Sequence, residues 1–413
     1  MSTMPYLTAE MPGIGGRIKE RPDDFRVEEL PLYEPCGEGT HVYFRVVKAG
    51  ITTLAAVERI ARHMGVRPSE IGVAGLKDAR AVTSQMMSLE HADGERLREY
   101  RDGQIHVAGV FRHGNKLRTG HLAGNRFVIR IRGVEATQLD AASQVLDVLL
   151  RRGVPNYFGQ QRFGARGDTD RLGEALVRGE LDGFVAIYLG QSRDDNPPEC
   201  KAARDAFDAG CYVQAQQLWP RHFANERRAL AAYKRAKKPR LALTAIDKRM
   251  RRLYVSSLQS AIFNEVLARR VGSLDRLFVG DLAEKTDSGG VFAVEDAAAE
   301  QPRADRFEIS PTGPIVGHRA MLADGDPGQI ERQAIAARDI DQEDFRRVGS
   351  MKVKGARRAL RFRIDGHRLS VDHDEHGEYL ELTFTTPRGC YATVALREIM
   401  KADQVPSGPD AAG

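Results

Sequence analysis

Asp78 lies in the stretch AGLKDARAVTSQ, residues 74 to 85, directly after Lys77 and two places before Arg80. A carboxylate set among cationic side chains is kept ionised by the opposite charge, which suits it to act as a nucleophile or a base. Standing alone, the same residues equally describe a helix cap or a surface ion pair. Other candidate chemistry is weaker. GIGG at 13 to 16 lacks both the sixth-position glycine and the following helix of a dinucleotide cradle, and no Walker A pattern occurs. His373, Asp374 and His376 in VDHDEHGEY could ligate a metal, but they occupy the polar tip between two alternating strands, as a solvated hairpin turn does. No metal site is expected there. Cys36, Cys200, Cys211 and Cys390 are far apart with no CxxC pair, so neither a zinc ribbon nor a disulfide framework is written.

The elements that must hold Asp78 are read from periodicity. Residues 17 to 30 and 41 to 48 read as strands: Phe25 and Val27 alternate with Arg26 and Glu28, and Val42, Phe44 and Val46 with Tyr43 and Arg45. After Gly50, Leu54, Val57, Ala61 and Met64 fall at helical spacing behind a Thr52/Thr53 cap, and Gly65 ends the helix. The short apolar run IGVAG then leads into Lys77 and Asp78. A strand follows at 126 to 132 with Phe127, Ile129 and Ile131 on one face, then a helix near 137 to 152 closed by Gly153. The middle third is helical and carries basic runs at 227 to 240 and 248 to 252, and strand alternation returns from about 357. Strand-rich ends around a helical middle predict an insertion: residues 154–347 form a second domain within a discontinuous first one, 1–153 and 348–413. The tail from about 402 is expected to be disordered.

The bulk numbers agree with two domains. A chain of 413 residues exceeds the size at which a single core keeps growing. With 42% hydrophobic and 29% charged residues and no long apolar run, a membrane span is not expected. No basic segment followed by an apolar stretch opens the chain, so a cytoplasmic location is the expectation. Lys and Arg number 62 against 57 Asp and Glu, a net charge of +5, which permits a polyanionic partner without demanding one.

The stretch AGLKDARAVTSQ resembles the signature of TruD-family pseudouridine synthases, in which the Asp after Lys is catalytic. Five further blocks resemble that family in the same order: RIKERPDDFRVEE from Arg17, GHLAGNRF from Gly120, VPNYFGQQRFG from Val154, SLQSAIFNEVLARR from Ser257 and GCYATVALRE from Gly389. The resemblance implies an α+β fold: a pseudouridine synthase catalytic domain, with a mixed, largely antiparallel sheet flanked by helices, and an inserted TruD-specific α/β domain. It implies tRNA as substrate, in bacterial members uridine 13 of a glutamate tRNA, with no cofactor or metal and no obligate protein partner. Carried onto this chain, Asp78 is the catalytic aspartate and Lys19 the basic residue beside it, while Phe25, Asn125, Phe127 and Tyr391 surround the target uridine. Tyr391 departs from a pattern that often has Phe, adding a hydroxyl that needs a partner. Asn125 and Phe127, two apart on a strand, point to one face and could present an amide and a ring to the same base. A non-catalytic tRNA-binding or folding factor on the same fold is the alternative, and it would not require the Lys19 and Asp78 pair.

Overall fold

The computed structural model describes residues 4 to 194, 198 to 349 and 351 to 402. The chain divides into two compact units, one of Tyr6–Asn156 with Arg361–Gly413, the other of Tyr157–Leu360 with Met1–Pro5.

The first unit begins with β1 (Phe25–Pro31), β2 (His41–Ala49), helix α1 (Thr53–Met64), β3 (Gly72–Val73), β4 (Val82–Glu90), the short α2 (Gly94–Arg98), β5 (Ile105–His113), β6 (Leu122–Arg132), α3 (Leu139–Arg152) and β7 (Val154–Pro155). The second unit contributes α4 (Thr169–Arg178), α5 (Leu181–Leu189), α6 (Pro198–Asp208), α7 (Tyr212–Leu218), α8 (Ala224–Ala236), α9 (Pro239–Ala245) and the long α10 (Lys248–Arg270). It continues with β8 (Leu282–Lys285), β9 (Val291–Ala293), α11 (Ala297–Asp305), β10 (Ile309–Ile315), α12 (Gly325–Ala336) and β11 (Ala356–Ala359). The chain then returns to the first unit through β12 (Arg361–Phe362), β13 (Asp365–Asp374), β14 (Gly377–Pro387) and α13 (Ala392–Met400).

The main sheet runs β13-β14-β6-β1-β4-β2-β5, with β3 added to β4. Only the β1–β4 pairing is parallel, so the fold is α+β with a mixed, largely antiparallel sheet flanked by helices. Register places Lys48, Thr83, Val27, Phe127 and Phe384 opposite one another across β2, β4, β1, β6 and β14. The next rung holds Glu29, Asn125 and Thr386. Opposed residues share a face, so polar groups from separate strands converge on one end of it. Over β2, β4 and β5 the same face is covered by α1, whose Ala56, Val57, Ile60 and Ala61 join Val42, Phe44, Val46, Leu89 and Ile105 in one core. In the second unit α10 packs on α4 and α5 through Tyr254, Leu258 and Ile262, among Leu172, Phe184 and Tyr188.

The helix expected after Gly50 forms where its pattern places it: the Thr52 hydroxyl accepts from the Ala55 amide, and Gly65 closes it in the left-handed region at φ 72°. The strand expected over 17 to 30 does not. It starts only at Phe25, because Lys19 sits in the left-handed region at φ 58° and Pro22–Asp24 form a 3-10 turn. The return to the first unit also comes later than expected, at Arg361 rather than 348, because Ala356–Ala359 hydrogen-bond to β10 as an edge strand of the other unit. The candidate metal cluster sits at the β13–β14 turn. There Asp374 is taken by Arg132 at 2.6 and 3.0 Å and by Arg130 at 3.3 Å, an anchor for arginines at the sheet edge. The tail beyond 402 and part of the loop at 194 to 200 lie outside the described residues.

Candidate active site

Asp78 sits on the loop between β3 and β4, which is tied by hydrogen bonds to several separate elements. The Lys77 amide donates to the Thr53 hydroxyl at 2.8 Å, in the first turn of α1, and that hydroxyl donates to the side-chain oxygen Oε1 of Gln85 on β4 at 2.8 Å. The Gln85 amide in turn donates to the Gly75 carbonyl at 3.1 Å, and the Gly120 amide donates to the Ala74 carbonyl at 2.8 Å. From β2, the Lys48 ammonium donates to the Asp78 carbonyl at 3.0 Å and to the Ile51 carbonyl at 2.6 Å. A loop fixed at so many points keeps its side chains in place without regular secondary structure.

Beneath the loop lies a buried charge pair. The Lys77 ammonium forms an ion pair with Glu29 Oε2 at 2.9 Å, with side chains 6% and 2% exposed, and donates its hydrogen bond to Asn125 Oδ1 at 2.7 Å. The other Glu29 oxygen accepts the Met86 amide at 3.1 Å. Because the Lys77 ammonium needs an acceptor, its position fixes Asn125 with Oδ1 toward Lys77, leaving the amide nitrogen free to donate elsewhere.

Above the loop, Lys19 Nζ donates to Asp78 Oδ2 at 2.6 Å; the lysine side chain is 4% exposed, the aspartate 45%. The left-handed backbone at Lys19 belongs to a segment stapled to the sheet. Arg17 exchanges two 2.8 Å backbone hydrogen bonds with Arg132, whose guanidinium also donates to the buried Asp24 carboxylate at 2.7 Å. The Lys19 ammonium lies 4.2 Å from the centroid of Phe25, a face of negative potential that suits a desolvated cation. Leu76 and Arg80 are exposed on the same loop, so solvent meets a carboxylate, an aliphatic group and a guanidinium on a rigid polar base.

The structure brings Lys19, Asp78, Asn125 and Phe25 together. Phe127 is on the same face as Asn125, but its ring is buried between Phe25, at 5.9 Å in edge geometry, and Phe384, at 5.5 Å. It offers no free face to a base in this arrangement, because β1 and β14 each place an aromatic ring beside it. Tyr391 precedes α13 half-buried, with no hydrogen bond to the Lys19–Asp78 pair. Glu29, Lys48 and Gln85 were not singled out from the sequence, and Thr53 only as part of a helix cap. Two of them carried a signal: Glu29 falls in the Phe25, Val27 alternation and Lys48 in the Val42, Phe44, Val46 alternation, so each is a charge at an inward position.

Such a site can present one ionised oxygen to a substrate while the other is held by a fixed cation, the requirement for a carboxylate acting as nucleophile or base. Residues 2–399 match the family model described as tRNA pseudouridine synthase D (TruD). The chain is 44% identical over 397 residues to the tRNA pseudouridine synthase D of Geobacter metallireducens, covering 96% of this chain and 97% of that one. It is 41% identical to that of Syntrophotalea carbinolica, over 96% and 99% of the two chains. The crystal structure of the TruD-designated protein from Methanosarcina mazei superposes with a TM-score of 0.82 at 27% identity, over 96% of each chain.

Removing one partner of the buried pair should expose what it supports. Lys77→Met leaves Glu29 charged and unpaired in the interior and should lower unfolding stability by about 3–5 kcal/mol, whereas Lys77→Met with Glu29→Leu should recover most of that loss. Urea unfolding of both variants checks this, and equal stability of the single and double variants would contradict it.

Proposed function

The chain belongs to the TruD family, and from that membership we propose that it isomerises a uridine of tRNA to pseudouridine, with Asp78 as the catalytic carboxylate. The observation that carries this is the 2.6 Å Lys19–Asp78 contact, which leaves the carboxylate half-exposed on a loop otherwise pinned to four elements. The reaction breaks the bond from ribose C1′ to uracil N1, turns the base and joins C1′ to C5. C5 loses a proton and N1 gains one, so the product is an isomer and no electrons are exchanged. One fixed carboxylate must therefore act at the sugar or the base while the detached uracil stays in place.

In this reading Lys19 orients Asp78, and Asn125, with its oxygen taken by Lys77, donates its amide hydrogens to a carbonyl of the base. Phe25 and Phe127 form the apolar floor under Lys19 and Asn125, and Tyr391 is a further contact to the nucleotide. The substrate is uridine 13 of glutamate tRNA, the enzyme works in the cytoplasm without cofactor or metal, and it needs no obligate protein partner. No helix of the described residues is long and apolar enough to cross a membrane. The inserted TruD domain, expected from sequence at 154–347, corresponds to the unit Tyr157–Leu360, and its basic runs track tRNA phosphates. Lys237 and Lys238 are exposed on the connection from α8 to α9, and with Lys234 they make no ion pair among the described residues.

Purified protein should convert a uridine in the dihydrouridine arm of tRNA to pseudouridine, at a rate unchanged by a chelator. Asp78→Asn, which removes the charge and hardly the volume, should abolish turnover while sparing most tRNA affinity. Near wild-type turnover in that variant would end the assignment of Asp78, and loss of activity on chelation would end the metal-free one.

Replacing Lys234, Lys237 and Lys238 together with Ala should weaken tRNA binding and flatten its dependence on salt, since each phosphate no longer neutralised takes roughly 0.7–0.9 of a unit from the logarithmic slope. Binding measured across a salt series decides this; an unchanged slope returns these lysines to a solvated surface.

A further inference from the structure

Lys48 occupies the inward position on β2 where the alternation of Val42, Phe44 and Val46 calls for an apolar side chain, and it is 1% exposed. It makes no ion pair among the described residues. Its ammonium instead meets main-chain carbonyls: Ile51 at 2.6 Å, Asp78 at 3.0 Å and, at the limit of a hydrogen bond, Lys77 at 3.5 Å. A buried ammonium without a carboxylate partner is costly, and a methionine would fill much the same space without that cost. The charge is therefore spent where a stability argument finds no gain, on the backbone of the residue that carries the exposed carboxylate.

We propose that Lys48 is a positioning residue, whose ammonium clamps the main chain at Asp78 against the start of α1 and so holds the carboxylate at its working distance from Lys19. The inference rests on the reading of Asp78 as the catalytic group. The Lys19 contact restrains the tip of that half-exposed side chain. Lys48 restrains its root. Together they fix both ends of one short side chain.

The charge state of Lys48 is open to test. Burial pushes its ammonium down to about 8, the Asp78 carboxylate opposing this shift and the Lys77 ammonium adding to it. Those are the charged groups that face it; Glu29 lies beyond Lys77 and Lys19 beyond Asp78. Its other neighbours are Thr83 on β4 and Ile105 on β5, which do not titrate. Because the folded-state value lies below the ordinary 10.5, the unfolded chain binds the proton more tightly, and the contribution of Lys48 to stability improves as pH rises from about 8 to 10.5. A lysine that served only the fold would therefore not lose activity in that window. A clamp that works through its charge would.

The experiment is the pH dependence of kcat and KM for tRNA, measured on the full-length wild type, Lys48→Met and Asp78→Asn, with melting followed on the same preparations. At neutral pH, Lys48→Met should lose about tenfold to a hundredfold in kcat with KM little changed. The wild-type kcat should decline on the alkaline side with a midpoint near 8, and the Met variant should lack that limb. A Met variant with wild-type kcat, or one that keeps the alkaline limb, would overturn the proposal. Should that variant fail to fold, Lys48→Gln, which removes the charge and shortens the reach to the Asp78 carbonyl, decides in its place: a wild-type kcat in that variant overturns the proposal. An active Asp78→Asn would remove the premise and the inference with it, whereas an inactive Asp78→Asn beside an unaffected Lys48→Met would remove the inference only.

Discussion

Lys77 and Glu29 are both withdrawn from water on the inner face of the sheet, and such a pair persists only where the remaining protons and lone pairs are also taken up. That requirement organises what surrounds it. The second Glu29 oxygen needs the Met86 amide, so β1 and β4 must lie side by side in parallel register. A further Lys77 proton needs an acceptor, and Asn125 supplies it from β6, the strand on the other side of β1. Lys77 is the residue before Asp78, so satisfying the buried pair fixes the chain direction at the carboxylate. The position of Asp78 thus follows from charge satisfaction beneath it.

The same logic explains why this end of the sheet carries polar groups that contribute little to the fold as such. Lys48, Thr83, Gln85, Glu29 and Asn125 stand where continued alternation would have placed aliphatic side chains, and the core beside them, around α1, is built in that ordinary way. Replacing a buried polar cluster by apolar residues of similar volume is often neutral or stabilising. The polar end is therefore accounted for by the loop it holds. Lys19 completes the arrangement from the opposite side, on a segment that departs from strand geometry and is anchored through Arg132 to Asp24 and Asp374.

Much of this was legible along the sequence. The α1 helix was marked by its apolar spacing, its Thr52 cap and Gly65, all local signals. The strand containing Phe127, Ile129 and Ile131 was marked by its alternation, and its observed span, Leu122–Arg132, extends the expected one at its start. What was not legible depends on register between distant segments. Glu29 and Lys48 announce themselves as inward charges by parity, but that one meets Lys77 and the other the Asp78 carbonyl follows from pairings no local pattern encodes. The later return at Arg361 has the same origin, since β11 is drawn to β10, whose sequence lies some forty residues upstream. Phe127 shows the converse: its face was read correctly from alternation, while its burial depended on Phe25 and Phe384 arriving from two other strands. Asp78 itself could not be told from a surface ion pair by its neighbours alone; it stood out through the longer motif in which it sits.

The most direct measurement of the central claim is pseudouridine mapping of total tRNA from cells that make the protein, cells that lack it, and cells that make only the Asp78→Asn form. The account predicts one uridine in the dihydrouridine arm that is pseudouridine in the first cells and unmodified in the other two. Identical maps in all three would contradict it.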